Sequence, residues 1–474
     1  MTAENPLFSC FKAYDMRGTM DVLSPEVYYW LGRGFVQKIL EPEHIDPIVI
    51  IARDGRYNGT EYYQHLAAGI RSGGGAVVSL GLATTDMVYA AALLKDAPAI
   101  MITASHNPAE YNGCKIVKKA PQMLGLDSGL ALLRDYIIQN MGTDEYKVDD
   151  IEQSNEFKEQ TNEFLLSKIE QISGLGTITT PLKIVVDTAN GAAGVIMEKM
   201  RDWYPNIEWV PLFWDVDPRF PNHPSDPMPA KNREQLAHKV LATHADFGAF
   251  LDGDGDRCVF VDEKGELISG DFVVALFARH FLKKSTKLEK NIVYIEPNSR
   301  VISRTIIACG GIAINSKQGH TFVKTQMQTH DALYGGEGSA HHYFSEFGYM
   351  DSGCISLALF CSIFAKSDRS ASTLCADIAT GYFLSGEHNY RLDVNQTIPQ
   401  IIDLLKNKFS DAKFCELDGI TIAYPDWRCN IRGSNTEPLL RFNVETNSNT
   451  LLSNPFTKLS QVLACASINS QNQV

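Results

Sequence analysis

The sequence predicts an α/β protein: three similar α/β domains with mixed, mostly parallel sheets, followed by a smaller C-terminal α+β domain. Three observations predict it. The chain has 474 residues, too many for one hydrophobic core, and roughly 100–200 residues per domain gives three or four units. Next, "PIVIIARDGR" from Pro47, "KIVVDTANGAAG" from Lys183 and "NIVYIEPNSR" from Asn291 share one plan. Each is a short β-branched run without polar alternation, the pattern of a parallel strand buried on both faces. Finally, after 52, 64 and 43 residues respectively, each is followed by an apolar run that ends in a loop crowded with functional side chains: "AIMITASHNP", "FGAFLDGDGDR" and "YGGEGSAHH".

The spacings leave room for an intervening helix and strand. In the first unit "EYYQHLAAGIRSGG" reads as a helix stopped by glycines, and in the second "REQLAHKVLATH" reads as another. Ligands gather beyond the carboxyl ends of parallel strands, so three such loops define one cleft. The last hundred residues differ. A helical "IPQIIDLLKNKF" precedes strand-like "GITIAYPDW", "RCNIR" and "LLRFNVET", which suits a small antiparallel sheet carrying its own loop, "RGSNTEP". The domains are expected to be 1–149, 150–258, 259–371 and 372–474.

Composition narrows the function. Hydrophobic residues make up 44% of the chain and charged residues 21%, ordinary values for a globular enzyme. The net charge of −13 repels nucleic acid and anionic membranes, so an anionic substrate must be met by local cations. The longest apolar run, "CISLALFCSIFA", is about 12 residues, short of the roughly 18 a membrane span requires. The start "MTAENPLFSC" lacks a basic region followed by a hydrophobic one, so no export signal is expected, and the ten cysteines include no CxxC pair. Cys258, Cys309 and Cys361 sit in apolar runs and are expected to be buried thiols, so a reducing cytoplasm is the expected location.

The loops carry the chemistry. Ser105 in "TASHNP" is either a nucleophile, with His106, Lys115 or a metal to activate it, or part of a turn whose Ser and Asn bond locally. "DGDGDR" sets Asp252, Asp254 and Asp256 at alternate positions, with glycines that let the carboxylates converge. Such hard oxygen ligands suit Mg²⁺ or Ca²⁺. An EF-hand fits Asp252, Asp254, Asp256 and Glu263 at loop positions 1, 3, 5 and 12. It fails because Arg257 stands where that loop needs glycine and "CVFV" follows at once as a strand. The third loop offers Glu337 and Ser339 for sugar hydroxyls and His341 or His342 for proton transfer. In the fourth, Arg432, Ser434, Asn435 and Thr436 suit a dianionic phosphate, or form a turn between strands. Lys12, Tyr14, Arg17, Lys317 and His320 add donors from other loops. Together these point to phosphoryl transfer on a phosphorylated sugar or polyol.

"TASHNP", "DGDGDR", "GEGSAHH" and "RGSNTEP", in this order, resemble the α-D-phosphohexomutase superfamily over essentially the whole chain. "CFKAYDMRG", "SAHHYF" and "DWRCNIRGSNTEP" look most like its bacterial phosphomannomutases, which feed GDP-mannose synthesis. The resemblance implies four domains, heart-shaped around one central cleft, with a fourth domain that opens about a hinge near residue 371. It implies that Ser105 is a phosphoserine beside Mg²⁺ held by Ser105, Asp252, Asp254 and Asp256. Transfer to mannose 6-phosphate or mannose 1-phosphate would give a hexose 1,6-bisphosphate, which also serves as activator. By position, Lys115, Arg257 and Arg17 would neutralise the transferring phosphate, and His106 and Lys115 are the nearest acid/base groups. Tyr14, His320, Glu337, Ser339, His341, Arg432, Ser434, Asn435 and Thr436 would bind the substrate. A monomer or weak homodimer is expected.

Two departures stand out: Gly338 replaces a methionine common in bacterial relatives, which would loosen the sugar loop and broaden specificity, and Asn298 lacks the family's nearby basic residue, with Arg300 as a shifted substitute. A glucose-preferring or dual-specificity mutase, a phosphatase and a non-catalytic sugar-phosphate-binding protein are the alternatives.

Overall fold

A computed structural model describes residues 5–120, 122–143, 145–295, 299–385, 388–391, 398–417, 419–433 and 439–465. They form two compact units, Met1–Ile268 with Ser339–Leu374 and Ser269–Gly338 with Cys375–Val474.

The chain opens with β1 (Met16–Thr19), β2 (Ile48–Arg53), β3 (Ala76–Leu82), β4 (Ala99–Ile102), β5 (Tyr111–Lys119) and β6 (Gln122–Met123). β2 runs parallel to β3 on one side and β4 on the other, and β5 turns back antiparallel between β4 and β1. All four residues of β4 are buried, as the unalternating sequence requires. The crossover helix Gly59–Ser72 ends at its glycines: Gly74 adopts φ +93° and the Gly75 N–H reaches back 2.9 Å to the Ile70 carbonyl.

The plan repeats in β7 (Leu182–Asp187), β8 (Ile207–Leu212) and β9 (Phe247–Leu251), with β7 parallel to both neighbours, and β10 (Cys258–Val261) and β11 (Leu267–Ile268) added antiparallel. It repeats again in the second unit, where β12 (Asn291–Tyr294) lies parallel to β13 (Ile312–Asn315) and β14 (Tyr334–Gly336). β15 (His342–Phe344) and β16 (Met350–Asp351) are antiparallel in the first unit. The C-terminal strands, β17 (Phe383–Leu384), β18 (His388–Arg391), β19 (Lys413–Cys415), β20 (Ile420–Ala423), β21 (Trp427–Gly433) and β22 (Leu439–Thr446), make an antiparallel sheet. Its core gathers Ile401, Leu405, Ile431, Phe442 and Leu459. The chain is therefore an α/β protein with three mixed, mostly parallel sheets and an antiparallel C-terminal sheet.

The first strand of the first two repeats ends in the same local device: Asp54 Oδ1 accepts the Arg56 N–H at 3.0 Å and Asp187 Oδ1 the Ala189 N–H at 2.8 Å. In the third, Ser299 Oγ accepts the Val301 N–H at 3.0 Å at the start of the helix Val301–Ala308. Side chains bonding two residues ahead set the turn that leaves the sheet. Asp187 is also tied to the buried His223, whose Nε2 lies 3.0 Å from Asp187 Oδ2 and whose Nδ1 lies 2.9 Å from the Pro224 carbonyl. Burial opposes the His223 charge, but Asp187 outweighs it and holds the imidazole above its ordinary value. A histidine raised on folding stabilises fully below its unfolded pKa of about 6.5, and that stabilisation fades as pH rises through the folded value. The melting-temperature difference between wild type and His223→Gln should therefore shrink from pH 6 towards pH 8, which a thermal-shift series checks.

Among the described residues there is no disulfide, and Cys258 and Cys361 are buried as expected. Cys309 is only half-buried, because it caps the helix Val301–Ala308 at the turn into Gly310. The apolar run around Cys354 is the buried helix Gly353–Ala365, and no described helix is long and apolar enough to cross a membrane.

Candidate active site

Ser105 follows β4 in a left-handed conformation, φ +52°. Its N–H donates to Thr103 Oγ1 at 2.8 Å, and Thr103 in turn donates to Asp54 Oδ2 at 2.7 Å. The Asn107 N–H closes the turn on the Ala104 carbonyl at 3.0 Å. The two readings of "SHNP" are thus compatible: the segment is a turn, and the turn aims Ser105 Oγ at Asp252 Oδ2, 2.8 Å away.

Asp252, Asp254 and Asp256 are all buried, with ligand oxygens within 4.8 Å of one another. Their two glycines are required. A Cβ at Gly253 would lie 2.4 Å from the Ser105 carbonyl oxygen, and Gly255 adopts φ +76°. Lys115 stands on β5, in register with Met101 of β4, and its ammonium donates to Asp254 Oδ2 at 2.7 Å and to Asp256. Thr85 Oγ1 donates to Asp254 Oδ2 at 2.6 Å. Arg257 donates its N–H to Asp252 Oδ1 at 3.2 Å and its Nη2 to His106 Nδ1 at 2.7 Å. Arg17 is held by Asp15 at 2.7 Å through Nε and by Asn107 Oδ1 at 2.7 Å through Nη1.

These charges act on one another at low dielectric. Burial, then Asp256 and Asp254, push Asp252 up to about 7 against the pull of Arg257 and Lys115. For Asp254 burial works the same way, but Lys115 outweighs it and holds the carboxyl far below the usual range. Burial also opposes the charge on Lys115, and Asp254 and Asp256 overcome it, so the ammonium is a fixed cation. His106 is driven well below its ordinary value, by burial first and then by Arg257 and Arg17, and it is a neutral ring that accepts from Arg257. Buried Asp254 Oδ1 and Asp256 Oδ1 have no hydrogen-bond partner among the described residues. Two orphaned carboxylate oxygens within one triad are what a hard divalent cation would satisfy, so the donor set fits a metal ion.

His341 joins the same group. It pairs as an antiparallel bridge with Arg257, and its Nδ1 lies 2.9 Å from Asp351 Oδ2 and 3.8 Å from Asp256 Oδ1. Burial lowers its affinity for a proton, but Asp256 and Asp351 outweigh this and raise it above the ordinary value. His342 is different: burial and His341 push it down to about 3, so it is neutral. Of the adjacent pair, only His341 is available for proton exchange.

The first unit therefore brings together Ser105, His106, Lys115, Arg17, Arg257, His341 and the three aspartates; Tyr14 and Ser339, both half-buried, belong to it too. The second unit holds His320 at the start of the helix His320–Thr329, Glu337 just past β14 and Arg432 within β21, all buried. Ser434, Asn435, Thr436 and Asn298 lie outside the described residues. Arg300 pairs with the C-terminal sheet, its Nε 2.8 Å from Glu445 Oε1. Gly338 is not in the left-handed region, so its backbone does not demand glycine. Thr85, Asp351 and Arg56 escaped the sequence reading. Thr85 and Asp351 lie in no quoted motif, and Arg56, although it closes "PIVIIARDGR", meets the site only through long-range packing.

The chain is matched by three family models: phosphoglucomutase/phosphomannomutase alpha/beta/alpha domain I over residues 9–132, domain II over 163–265 and domain III over 269–382. It belongs to this family, within the α-D-phosphohexomutase superfamily, and is a phosphohexomutase. It is 34% identical over 454 residues to the "phosphohexose mutases" of Xanthomonas campestris pv. campestris, covering 93% of this chain and 96% of that relative. It is 33% identical over 455 residues to a phosphomannomutase of Vibrio cholerae, covering 94% and 96%. A solved phosphoglucomutase/phosphomannomutase family protein from Burkholderia thailandensis superposes with a TM-score of 0.82 at 30% identity, covering 97% of this chain and 98% of that one.

Proposed function

We propose that this phosphohexomutase is a phosphomannomutase, interconverting mannose 6-phosphate and mannose 1-phosphate through a phosphoserine at Ser105 and a hexose 1,6-bisphosphate, and supplying GDP-mannose synthesis. The observation that carries the reading is the hydroxyl of Ser105 set 2.8 Å from Asp252 at the edge of a buried three-carboxylate cluster. The phosphomannomutases among its relatives support the choice of mannose. The four-domain division at 149, 258 and 371 and a cytoplasmic location belong to the same reading.

Phosphoryl transfer needs alignment and charge neutralisation more than covalent chemistry. In the forward step the Oγ–P bond of phosphoserine breaks, a P–O bond forms to the free sugar hydroxyl, and that hydroxyl's proton leaves. Lys115, Arg257 and Arg17 supply three positive charges around Ser105. His341 is the group suited to exchange the proton: Asp256 and Asp351 raise its affinity for one above the ordinary value, whereas His106 is held neutral beside Arg257 and Lys115 is a fixed cation. Glu337, Ser339, His320 and Tyr14 would hold the sugar, and Arg432, with Ser434, Asn435 and Thr436, the phosphate that does not react.

Asp252, Asp254 and Asp256, with the serine phosphate, would hold Mg²⁺, which when bound supplies electrostatic stabilisation of the transferring group. Mg²⁺ at a hundredfold excess over its Kd should stabilise the native state by about 2.7 kcal/mol. The melting temperature should rise accordingly in wild type and not in Asp254→Asn, as differential scanning calorimetry would show.

The substrate assignment is tested by kcat/KM for the mannose and glucose phosphate pairs, with Mg²⁺ and a trace of hexose 1,6-bisphosphate. A preference for mannose of about tenfold or more, some 1.4 kcal/mol of differential transition-state binding, is expected. Equal values would favour a dual-specificity mutase, the second reading, to which the phosphohexose mutase relative and Gly338 lend support. Turnover of neither pair would overturn the proposal in favour of a non-catalytic binding protein.

A further inference from the structure

Arg56 is among the most heavily used donors in the molecule, and it touches none of the carboxylates of the candidate site. Its side chain is 1% exposed. Nη2 donates to the carbonyls of Ser105 and Asn107, both at 2.6 Å, and Nη1 to those of Pro108 and Tyr111 at 2.7 and 3.1 Å. Nε lies 3.2 Å from Asp54 Oδ2, and the guanidinium carbon stands 5.1 Å from the centre of the Phe220 ring. One planar fork thus collects four carbonyls from the seven-residue span 105–111, a geometry that an ammonium with three tetrahedral donors cannot copy.

The consequence falls on one residue. Ser105 sits at φ +52°, a conformation that a side-chain-bearing residue keeps only when its surroundings over-determine it. Its N–H is fixed by Thr103, itself bonded to Asp54, and its carbonyl is fixed by Arg56, which pairs with the same Asp54. With both flanking peptides pinned through Asp54, little but the χ1 torsion is left to move Oγ relative to Asp252. We propose that Arg56 is a positioning residue for the reacting serine: it holds the loop so that Ser105 Oγ projects at the carboxylate cluster, and it contacts neither sugar nor phosphate.

This inference rests on the reading of Ser105 as the phosphate carrier. The test is single-turnover transfer of phosphate from hexose 1,6-bisphosphate to Ser105, followed by intact mass, in wild type, Arg56→Lys and Arg56→Ala. A displacement of the nucleophile by about 1 Å costs on the order of 10²-fold. The transfer rate in Arg56→Lys should fall by about that factor, while the bisphosphate concentration giving half-maximal rate moves by less than about threefold. Millimolar guanidinium ion should accelerate Arg56→Ala at least about tenfold, by refilling the vacated fork site, and equal sodium chloride should not. If Arg56→Ala does not fold, Arg56→Lys decides alone, since it keeps a buried cation beside Asp54. Variant rates within about threefold of wild type, or a loss carried by the half-saturating concentration, would overturn the role of Arg56 while leaving the phosphoserine intact. Failure of wild-type Ser105 to take up phosphate would overturn the phosphoserine reading, and the Arg56 proposal with it.

Discussion

Replacing Ser105 by alanine is expected to lower mutase turnover by at least about 10³-fold while leaving the fold in place. On the proposed route the Ser105 hydroxyl carries the phosphate, and its neighbours are placed to serve it: Asp252 at 2.8 Å, His106 at 3.3 Å, and the Lys115 and Arg257 cations close behind. The backbone turn around Ser105 is held by Thr103 and Arg56 through main-chain atoms, which alanine retains. Circular dichroism and melting temperature should therefore match wild type, and hexose 1,6-bisphosphate should not restore activity. A variant with turnover within about tenfold of wild type would rule out a serine-linked route.

The second large effect is expected at Lys115. Its ammonium lies between Asp254 and Asp256, two buried carboxylates that would otherwise repel one another. Lys115→Met removes the cation and leaves like charges facing each other at low dielectric. Breaking one partner out of a buried ion pair costs about 3–5 kcal/mol, and losing one fixed positive charge from a transfer site costs about 10²–10³-fold in kcat. The melting temperature in chelator should fall, Mg²⁺ should recover part of it because a divalent ion can neutralise the same two carboxylates, and kcat should stay low in either buffer. Lys115→Arg is expected to be poorly active too, since a planar fork does not fit a site shaped for a compact ammonium. Scanning calorimetry with and without Mg²⁺, beside steady-state kinetics, separates the two effects.

Much of this was legible in the sequence because it is local. The unalternating β-branched runs at Ile48, Leu182 and Asn291 are the central strands β2, β7 and β12, each parallel to both neighbours. The converging aspartates follow from a two-residue spacing with glycines between, which any reading of "DGDGDR" reveals. What lies far apart in the chain was not legible. Lys115 meets Asp254 across 139 residues, and Arg56 meets Ser105 across 49. Asp351, which fixes His341, stands in a stretch with no motif of its own. Sequence also overstated the burial of Cys309, because the apolar run around it ends in a helix cap. Nor was it legible that Arg300, offered as a shifted phosphate ligand, pairs through its Nε with Glu445, a buried carboxylate from a strand of the C-terminal sheet. Short-range patterns specify strands, turns and ligand clusters, and tertiary packing decides which charges meet.

The most direct measurement of the central claim follows the phosphate itself. Enzyme carrying a radiolabelled phosphate on Ser105 would be mixed with unlabelled mannose 1-phosphate and Mg²⁺, quenched within one turnover, and the label located. The account predicts label in hexose 1,6-bisphosphate first and then in mannose 6-phosphate, with little released as inorganic phosphate. Label that stays on the protein while mannose 6-phosphate accumulates, or that leaves chiefly as inorganic phosphate, would contradict it.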